Sequence, residues 1–388
     1  MSFRKKSVAI LGSTGSIGKT SLKILNKCRR SFNIDLLATN SNKKIIGQQI
    51  KKFLPKYVII NNFKVYNYFK YKKFKKKIIF FNGLKDFKNN CKSNFDITIH
   101  GISGFQGLDY AFSFIKCSKK ILIANKETIV CGGRFFLKKA KTLNCRIESI
   151  DSEHFCIFES LKKINKNEID QIYITASGGP FLNNKFSDIS KVDFKLAVKH
   201  PKWKMGKKIS IDSATMANKG LELMEACFLF NINPNKIKIK IHKEAKVHSA
   251  IILKNGLIYL IAHNTSMEIP IANSLLKNYK LSLKNNFFSK KNFFSFSFDE
   301  SNLKKFQMVN IAYKALKYGP RACIFYNVIN DLLVNLYLQR KIFFYEITYL
   351  LNKVMMNKLL IKYFKKKIRN VYDIKKTINY AESFVEKK

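Results

Sequence analysis

An α/β fold opened by a doubly wound, Rossmann-like domain is predicted by three features: short apolar runs spaced by helical segments, a glycine turn directly after the first run, and a change of pattern near residue 150. Residues 7–11 (SVAIL) enter Gly12-Ser13-Thr14-Gly15-Ser16-Ile17-Gly18 and then a helix-like stretch over 17–27, a βα opening. Further buried-strand candidates at 34–38, 57–60, 97–99, 121–124 and 146–150 close this domain at 1–150. Beyond it, the strand candidates 172–176, 246–252 and 257–262 alternate with glycine loops, giving a central α+β domain over 151–282. The tract 283–306, rich in Asn, Lys, Phe and Ser, has no regular pattern and is expected to be a linker. Apolar spacings near 3.6, broken mainly at Gly319-Pro320, make 307–388 a helical C-terminal domain.

A length of 388 residues fits two or three domains, and 46% hydrophobic content is ample to bury their cores. The formal charge of +48, from 73 Lys and Arg against 25 Asp and Glu, suggests a polyanion partner at first reading. Asn, Ile, Phe and Tyr are raised together with Lys, however, and all five share AT-rich codons. Base composition therefore accounts for the excess, and neither nucleic acid nor a membrane is expected as a partner. The Lys/Phe/Tyr tract 63–80 is the best nucleic-acid candidate, since interleaved aromatics and cations can stack bases; the same bias makes it a surface helix followed by a strand. Eight cysteines form no Cys-x-x-Cys pair and are expected to be reduced core thiols. After Arg4-Lys5-Lys6 the apolar run ends at Gly12, too short for a signal-peptide core, and no run approaches the roughly 18 residues of a membrane span. The expected compartment is the cytoplasm.

Between a strand and a helix, the glycines of the G-x-x-G-x-x-G turn let backbone N–H groups approach a pyrophosphate, although a structural turn would look the same. Past the second strand, Thr39-Asn40-Ser41-Asn42-Lys43-Lys44 has no acid for a ribose 2′-hydroxyl and offers amides and cations, which favours a 2′-phosphate. Ala124-Asn125-Lys126-Glu127 emerges at the carboxyl end of a strand, where open α/β sheets bind ligands. Asp151-Ser152-Glu153 also follows a strand, and alternation would set both acids on one side. With Glu222 they could complete a three-oxygen shell for Mg²⁺ or Mn²⁺; exposed Asp-x-Glu pairs also occur without a metal. Ser177-Gly178-Gly179-Pro180 reads as a phosphate nest, and residues 199–208, with the single tryptophan Trp203, as a mobile flap.

The strings LGSTGSIG, ANKE, DSEH, SGGPF, HPKWKMGKKISIDSATMANKGLE and the looser IHKEAKVHS occur in an order that closely resembles the 1-deoxy-D-xylulose 5-phosphate reductoisomerase family of the non-mevalonate isoprenoid pathway. The resemblance implies an NADPH domain, a catalytic domain with a flap, a helical domain and a homodimer. It implies that Thr14, Gly15, Ser16 and Ile17 contact NADPH, with Asn125, Glu127 and Gly206 nearby and Asn40 and Asn42 at the ribose. Asp151, Glu153 and Glu222 would bind Mg²⁺, Mn²⁺ or Co²⁺; Lys126, Ser152, Ser177, His200, Ser213, Asn218 and Lys219, with Glu153 and Glu222, would hold the sugar phosphate. Lys126 and the three acids are the expected catalytic set. The implied chemistry is a carbon-skeleton rearrangement, most simply retro-aldol cleavage and re-aldolisation, then hydride delivery to the new aldehyde, giving 2-C-methyl-D-erythritol 4-phosphate.

Three departures stand out: Asn40-Ser41-Asn42 replaces the family's Gly-x-Asn turn, His242-Lys243-Glu244-Ala245 its HPQS-type string, and Asn327-Val328-Ile329-Asn330-Asp331 its N-A-A-N-E element. The latter two are expected to lie outside the metal and phosphate shells. The competing functions are another NADPH-dependent reductase, which would not need the three acids together, and a basic nucleic-acid-binding protein, whose affinity would fall steeply with salt.

Overall fold

The structure, a computed structural model, describes residues 4–184, 189–199, 203, 206–276, 295–300 and 306–386. The described residues pack as two compact units, the first drawn from 1–128, 136–151 and 267–282, the second from 129–135, 152–266 and 283–388.

In the first unit strands and helices alternate: β1 (Lys6–Leu11), α1 (Ser16–Lys27), β2 (Phe32–Thr39), α2 (Lys43–Phe53), β3 (Tyr57–Ile60), α3 (Phe63–Lys70), β4 (Ile79–Asn82), α4 (Gly83–Asn90), β5 (Phe95–His100), α5 (Gly107–Phe114), β6 (Ser118–Ile123), α6 (Lys126–Thr142, of which 129–135 group with the second unit) and β7 (Arg146–Ser149). The seven strands form a parallel sheet in the order β4-β3-β2-β1-β5-β6-β7. Val8, Ala9, Ile10 and Leu11 of the central strand are wholly buried, as a parallel strand covered on both faces must be, which is why it reads as an unbroken apolar run. The chain adds β2, β3 and β4 outward from β1 and then returns to β5 on its other side, so the strand order reverses between β1 and β5. Ligands of doubly wound sheets bind at the carboxyl ends of such strands. The 63–80 tract forms α3 and the start of β4, the helix-then-strand its composition suggested.

The second unit holds α7 (Ser152–Leu161), β8 (Ile169–Ala176), α8 (Phe194–Ala197), α9 (Lys207–Ala214), α10 (Ala217–Phe230), β9 (Ile237–Ile241), β10 (Val247–Leu253) and β11 (Ile258–Ala262). Next in the chain, α11 (Glu268–Leu275) belongs with the first unit, where it packs on α1, although it lies within the expected 151–282 stretch. β12 (Asp299–Glu300) pairs with β9 and completes a mixed sheet ordered β11-β10-β8-β9-β12. Most of the expected 283–306 linker lies outside the described residues, but 295–300 runs against β9, where Phe298 stacks on the His242 ring at 4.9 Å and Lys243 pairs with Asp299 at 2.9 Å.

α12 (Gln307–Tyr318), α13 (Pro320–Leu338), α14 (Phe344–Met355), α15 (Lys358–Phe364) and α16 (Val371–Glu386) follow and belong to the same unit as this sheet. Gly319 (φ 119°) stops α12 and Pro320 starts α13, because proline's missing N–H costs nothing at the first helical position. Arg321 then fastens the C-terminal helices: its guanidinium donates to the carbonyl oxygens of Lys366 and Lys367, Tyr363 Oη and Thr377 Oγ1.

Candidate active site

At the carboxyl end of β1 the glycine turn is forced by close packing. Gly12 has φ +76°, and a Cβ there would lie 2.8 Å from the Gly101 carbonyl oxygen; a Cβ on Gly18 would lie 2.5 Å from Gly12 O and Ser13 Cα. The first turn of α1 therefore sits directly on the loop. Gly15 is its N-cap and supplies no side-chain bond, which leaves the helix N-terminus to an anion. Thr14 Oγ1 lies 2.9 Å from Thr39 Oγ1, and Gln49 Nε2 donates to Ser13 O at 2.8 Å, so the turn is tied to the end of β2 and to α2. Ser16 and Ile17 open α1. Asn40 is exposed, while Asn42 caps α2 by accepting from Ile45 N–H at 3.1 Å. Lys43 folds over the Tyr68 ring, 3.3 Å from its centroid. This cradle of backbone donors and cations, without an acid, suits a phosphorylated dinucleotide.

Asn125 ends the loop after β6 as the N-cap of α6, accepting from Thr128 N–H at 2.5 Å and donating to Gly104 O at 2.8 Å and to Ile102 O. Its amide thus braces the loop after β5. Glu127, 6% exposed, lies one turn-position further, and Lys126 Nζ stands 3.0 Å from Asp151 Oδ2.

The acids are presented differently from the alternation read in the sequence. β7 stops at Ser149 and α7 starts at Ser152, so Asp151 is in the connection and Glu153 in the first helical turn. Two residues of a strand would point the same way; here a strand-to-helix bend turns them together. One carboxylate oxygen from each of Asp151, Glu153 and Glu222 lies within 4.8 Å of the others. Glu222 is supplied by α10 and is 1% exposed. Three converging carboxylates repel one another and are stabilised by cations, and a set of hard oxygen donors is the chemistry that Mg²⁺, Mn²⁺ or Co²⁺ accepts. Around them Ser152 Oγ donates to Glu153 Oε2 at 2.6 Å, Asn218 Nδ2 to Glu222 Oε1 at 2.5 Å, and Lys219 Nζ to Glu153 Oε1 and Glu222 Oε2, both at 2.6 Å. Buried His154 fixes the helices that carry the acids, its Nε2–H donating from α7 to the Glu222 carbonyl of α10 at 3.0 Å.

Ser177 follows β8 and leads into Gly178 (φ +85°) and Gly179 (φ +67°), two left-handed positions that glycine adopts without strain. A Cβ on Gly179 would lie 2.8 Å from Ser213 O, so this loop rests against the end of α9. Asn218 and Lys219 lie in the first turn of α10, whose N-cap Met216 adopts φ 65° and gives no side-chain bond. Gly206 is the N-cap of α9. Half-buried Trp203 meets the His248 ring edge-on at 6.1 Å, and His248 stacks on His263 at 3.9 Å. His200 and most of the expected flap lie outside the described residues.

A polar cluster behind Ser213 is absent from the expected site. Lys208 Nζ is 3.0 Å from Asp212 Oδ2 and 3.8 Å from Asp331 Oδ1, and Asn330 Nδ2 donates to Asp212 Oδ1 at 2.8 Å. The Lys-to-Asp spacing of four was the available signal, since it places the pair on one helical face. The departure at 327–331, expected outside the metal and phosphate shells, touches α9, the helix that carries Ser213, through Asp212 and Lys208.

The first unit is a doubly wound domain of the dinucleotide-binding class, and the three acids bring together oxygen donors that could hold a divalent ion. Family profiles match residues 8–133 as 1-deoxy-D-xylulose 5-phosphate reductoisomerase, and 147–230 and 263–382 as C-terminal domains of that enzyme. The chain is 38% identical over 385 residues to the 1-deoxy-D-xylulose 5-phosphate reductoisomerase of Pelagibacter ubique, covering 97% of each chain, and 36% identical over 361 residues to that of Wolbachia pipientis, covering 91% of this chain and 90% of the relative. A crystal structure of DOX-P reductoisomerase in complex with NADPH, fosmidomycin and magnesium superposes with a TM-score of 0.87 at 28% identity, covering 98% of both chains; the Zymomonas mobilis enzyme in complex with NADPH gives 0.86 at 28%, covering 97% of both. The chain belongs to the 1-deoxy-D-xylulose 5-phosphate reductoisomerase family.

Proposed function

We propose that this protein converts 1-deoxy-D-xylulose 5-phosphate to 2-C-methyl-D-erythritol 4-phosphate, with NADPH and a divalent cation, in the supply of isoprenoid precursors. The observation that carries the reading is the convergence of Asp151, Glu153 and Glu222 in a chain of this family. The bound cation supplies Lewis acidity to the oxygens of the sugar, and NADPH supplies hydride for the aldehyde. Asp151, Glu153 and Glu222 hold the cation. Lys126, fixed beside Asp151, adds positive charge where oxygen becomes anionic. Ser177, Ser213, Asn218 and Lys219, with His200, grip the phosphate, and Ser152 orients Glu153. Because the phosphate is remote from the reacting carbons, its binding energy serves to position the reacting end of the sugar and exclude water. Thr14, Gly15, Ser16 and Ile17 take the pyrophosphate, Asn40, Asn42 and Lys43 the ribose phosphate end, and Asn125, Glu127 and Gly206 shape the cofactor site.

The assembly is a homodimer in the cytoplasm. All eight cysteines are free thiols, and burial pushes Cys227 and Cys145 up to about 12, consistent with a reducing compartment and no redox role. Among the described residues no helix is long and apolar enough to cross a membrane. β11 is an edge strand whose Ile258 and Leu260, with Leu257 just before it, are about half exposed, an apolar edge that a second copy would cover. The test of function is NADPH oxidation on adding 1-deoxy-D-xylulose 5-phosphate with Mg²⁺: absorbance at the NADPH band falls, stops with EDTA and resumes with excess Mg²⁺. Turnover that persists through chelation refutes the reading.

A further inference from the structure

We propose that Lys219 couples the divalent-ion site to the phosphate site by ion exchange: displaced from Glu153 and Glu222 by the divalent ion, its ammonium becomes the cation of the phosphate, so each ligand tightens the other. The inference rests on the site assignment under Proposed function and adds a regulation of that site.

Lys219 Nζ is 2.6 Å from Glu153 Oε1 and 2.6 Å from Glu222 Oε2, and the residue is only 7% exposed. Its neighbour Asn218 holds the other oxygen of Glu222 at 2.5 Å. The residues placed to hold the phosphate are thus bonded to two of the residues placed to hold the ion. A divalent ion draws on carboxylate oxygens at close to 2 Å and carries twice the charge of an ammonium, so the two cations compete for Glu153 and Glu222. An ammonium released into a buried setting needs a new counter-charge. The first turn of α10 offers one place for it, where an anion would meet the helix N-terminus beside Ser213 and the Gly178-Gly179 loop. In the other direction, a phosphate that draws Lys219 away leaves two carboxylates facing each other, which raises their affinity for a cation. Linkage makes the two effects equal.

The experiment is calorimetric titration of the full chain with Mg²⁺ and with methylphosphonate, an anionic head without chelating hydroxyls. Saturating Mg²⁺ is expected to lower the methylphosphonate Kd by on the order of tenfold, and saturating methylphosphonate to lower the Mg²⁺ Kd by the same factor. In Lys219→Met, checked for native circular dichroism, Mg²⁺ binds more tightly than in the wild type and the coupling disappears. Coupling that persists in this variant arises from direct ion–phosphonate pairing and overturns the proposal. Wild-type Kd values for each ligand that ignore the other overturn it too, with no variant needed. If the wild type binds Mg²⁺ no better than Glu222→Gln, the metal-site assignment itself fails; if Mg²⁺ binding is lost in Glu222→Gln but the wild-type coupling factor is one, only the exchange fails.

Discussion

His100 closes β5 with its ring wholly buried, donating from Nε2 to the Gly107 carbonyl at 3.0 Å. Burial pulls its pKa down to about 4 from the ordinary 6.5, and the same cause lowers His263. The folded chain keeps this imidazole neutral where the unfolded chain protonates it. Between pH 6.5 and about 4 the unfolded state therefore binds more protons, so stability is complete above the window and is lost as pH falls through it, by roughly 3 kcal/mol for a shift of this size. Melting curves should show a midpoint that declines across that window, more steeply in the wild type than in His100→Gln. Equal slopes would contradict the burial argument. Nothing in the sequence marked this histidine: its neighbours 97–99 announce a strand, but the carbonyl that receives its proton lies in the next helix.

The glycine turn makes the strongest demand of any element. Gly18→Ala would drive a methyl into the Gly12 carbonyl and the Ser13 backbone, neither of which can yield as a flexible side chain would. The expected loss is about 1–3 kcal/mol of stability, with NADPH affinity, read by cofactor fluorescence on titration, falling at least about tenfold. An unchanged melting midpoint and an unchanged Kd would show that α1 is not seated on the turn. Elements of this kind were legible because their constraint is local. β1, β2 and β3 appear as apolar runs since both faces are covered, and the 12–18 turn since only glycine fits. β9, with the alternating sequence IKIKI, is missing from the expected strands although one covered face leaves that period-two trace, and the two-residue β12 is too short to leave any. The geometry of Asp151 and Glu153 differs from expectation for a related reason: whether a chain continues as strand or bends into helix at residue 150 depends on what α7 packs against, not on the two acids.

Across the whole molecule, the apolar edge of the second sheet sets the expected assembly. Light scattering should give twice the 45.1 kDa chain mass, and Ile258→Lys, which puts charge on an exposed edge position, should shift it towards one chain while leaving the melting curve cooperative. A wild type that runs as a single chain would remove the homodimer. The site was legible through its strings more than its physics: motifs in order named Asp151, Glu153, Glu222 and Lys219, whereas the Asp212–Asn330 bond and the return of α11 to the first unit join residues more than a hundred positions apart in the chain. Spacing cannot report such pairings. The proposed activity requires three acids to share one cation, and bound Mn²⁺ counted by electron paramagnetic resonance reads that directly. One tightly bound ion per chain is expected in the wild type and none in Asp151→Asn or Glu222→Gln at the same free Mn²⁺; undiminished Mn²⁺ in both variants would contradict it.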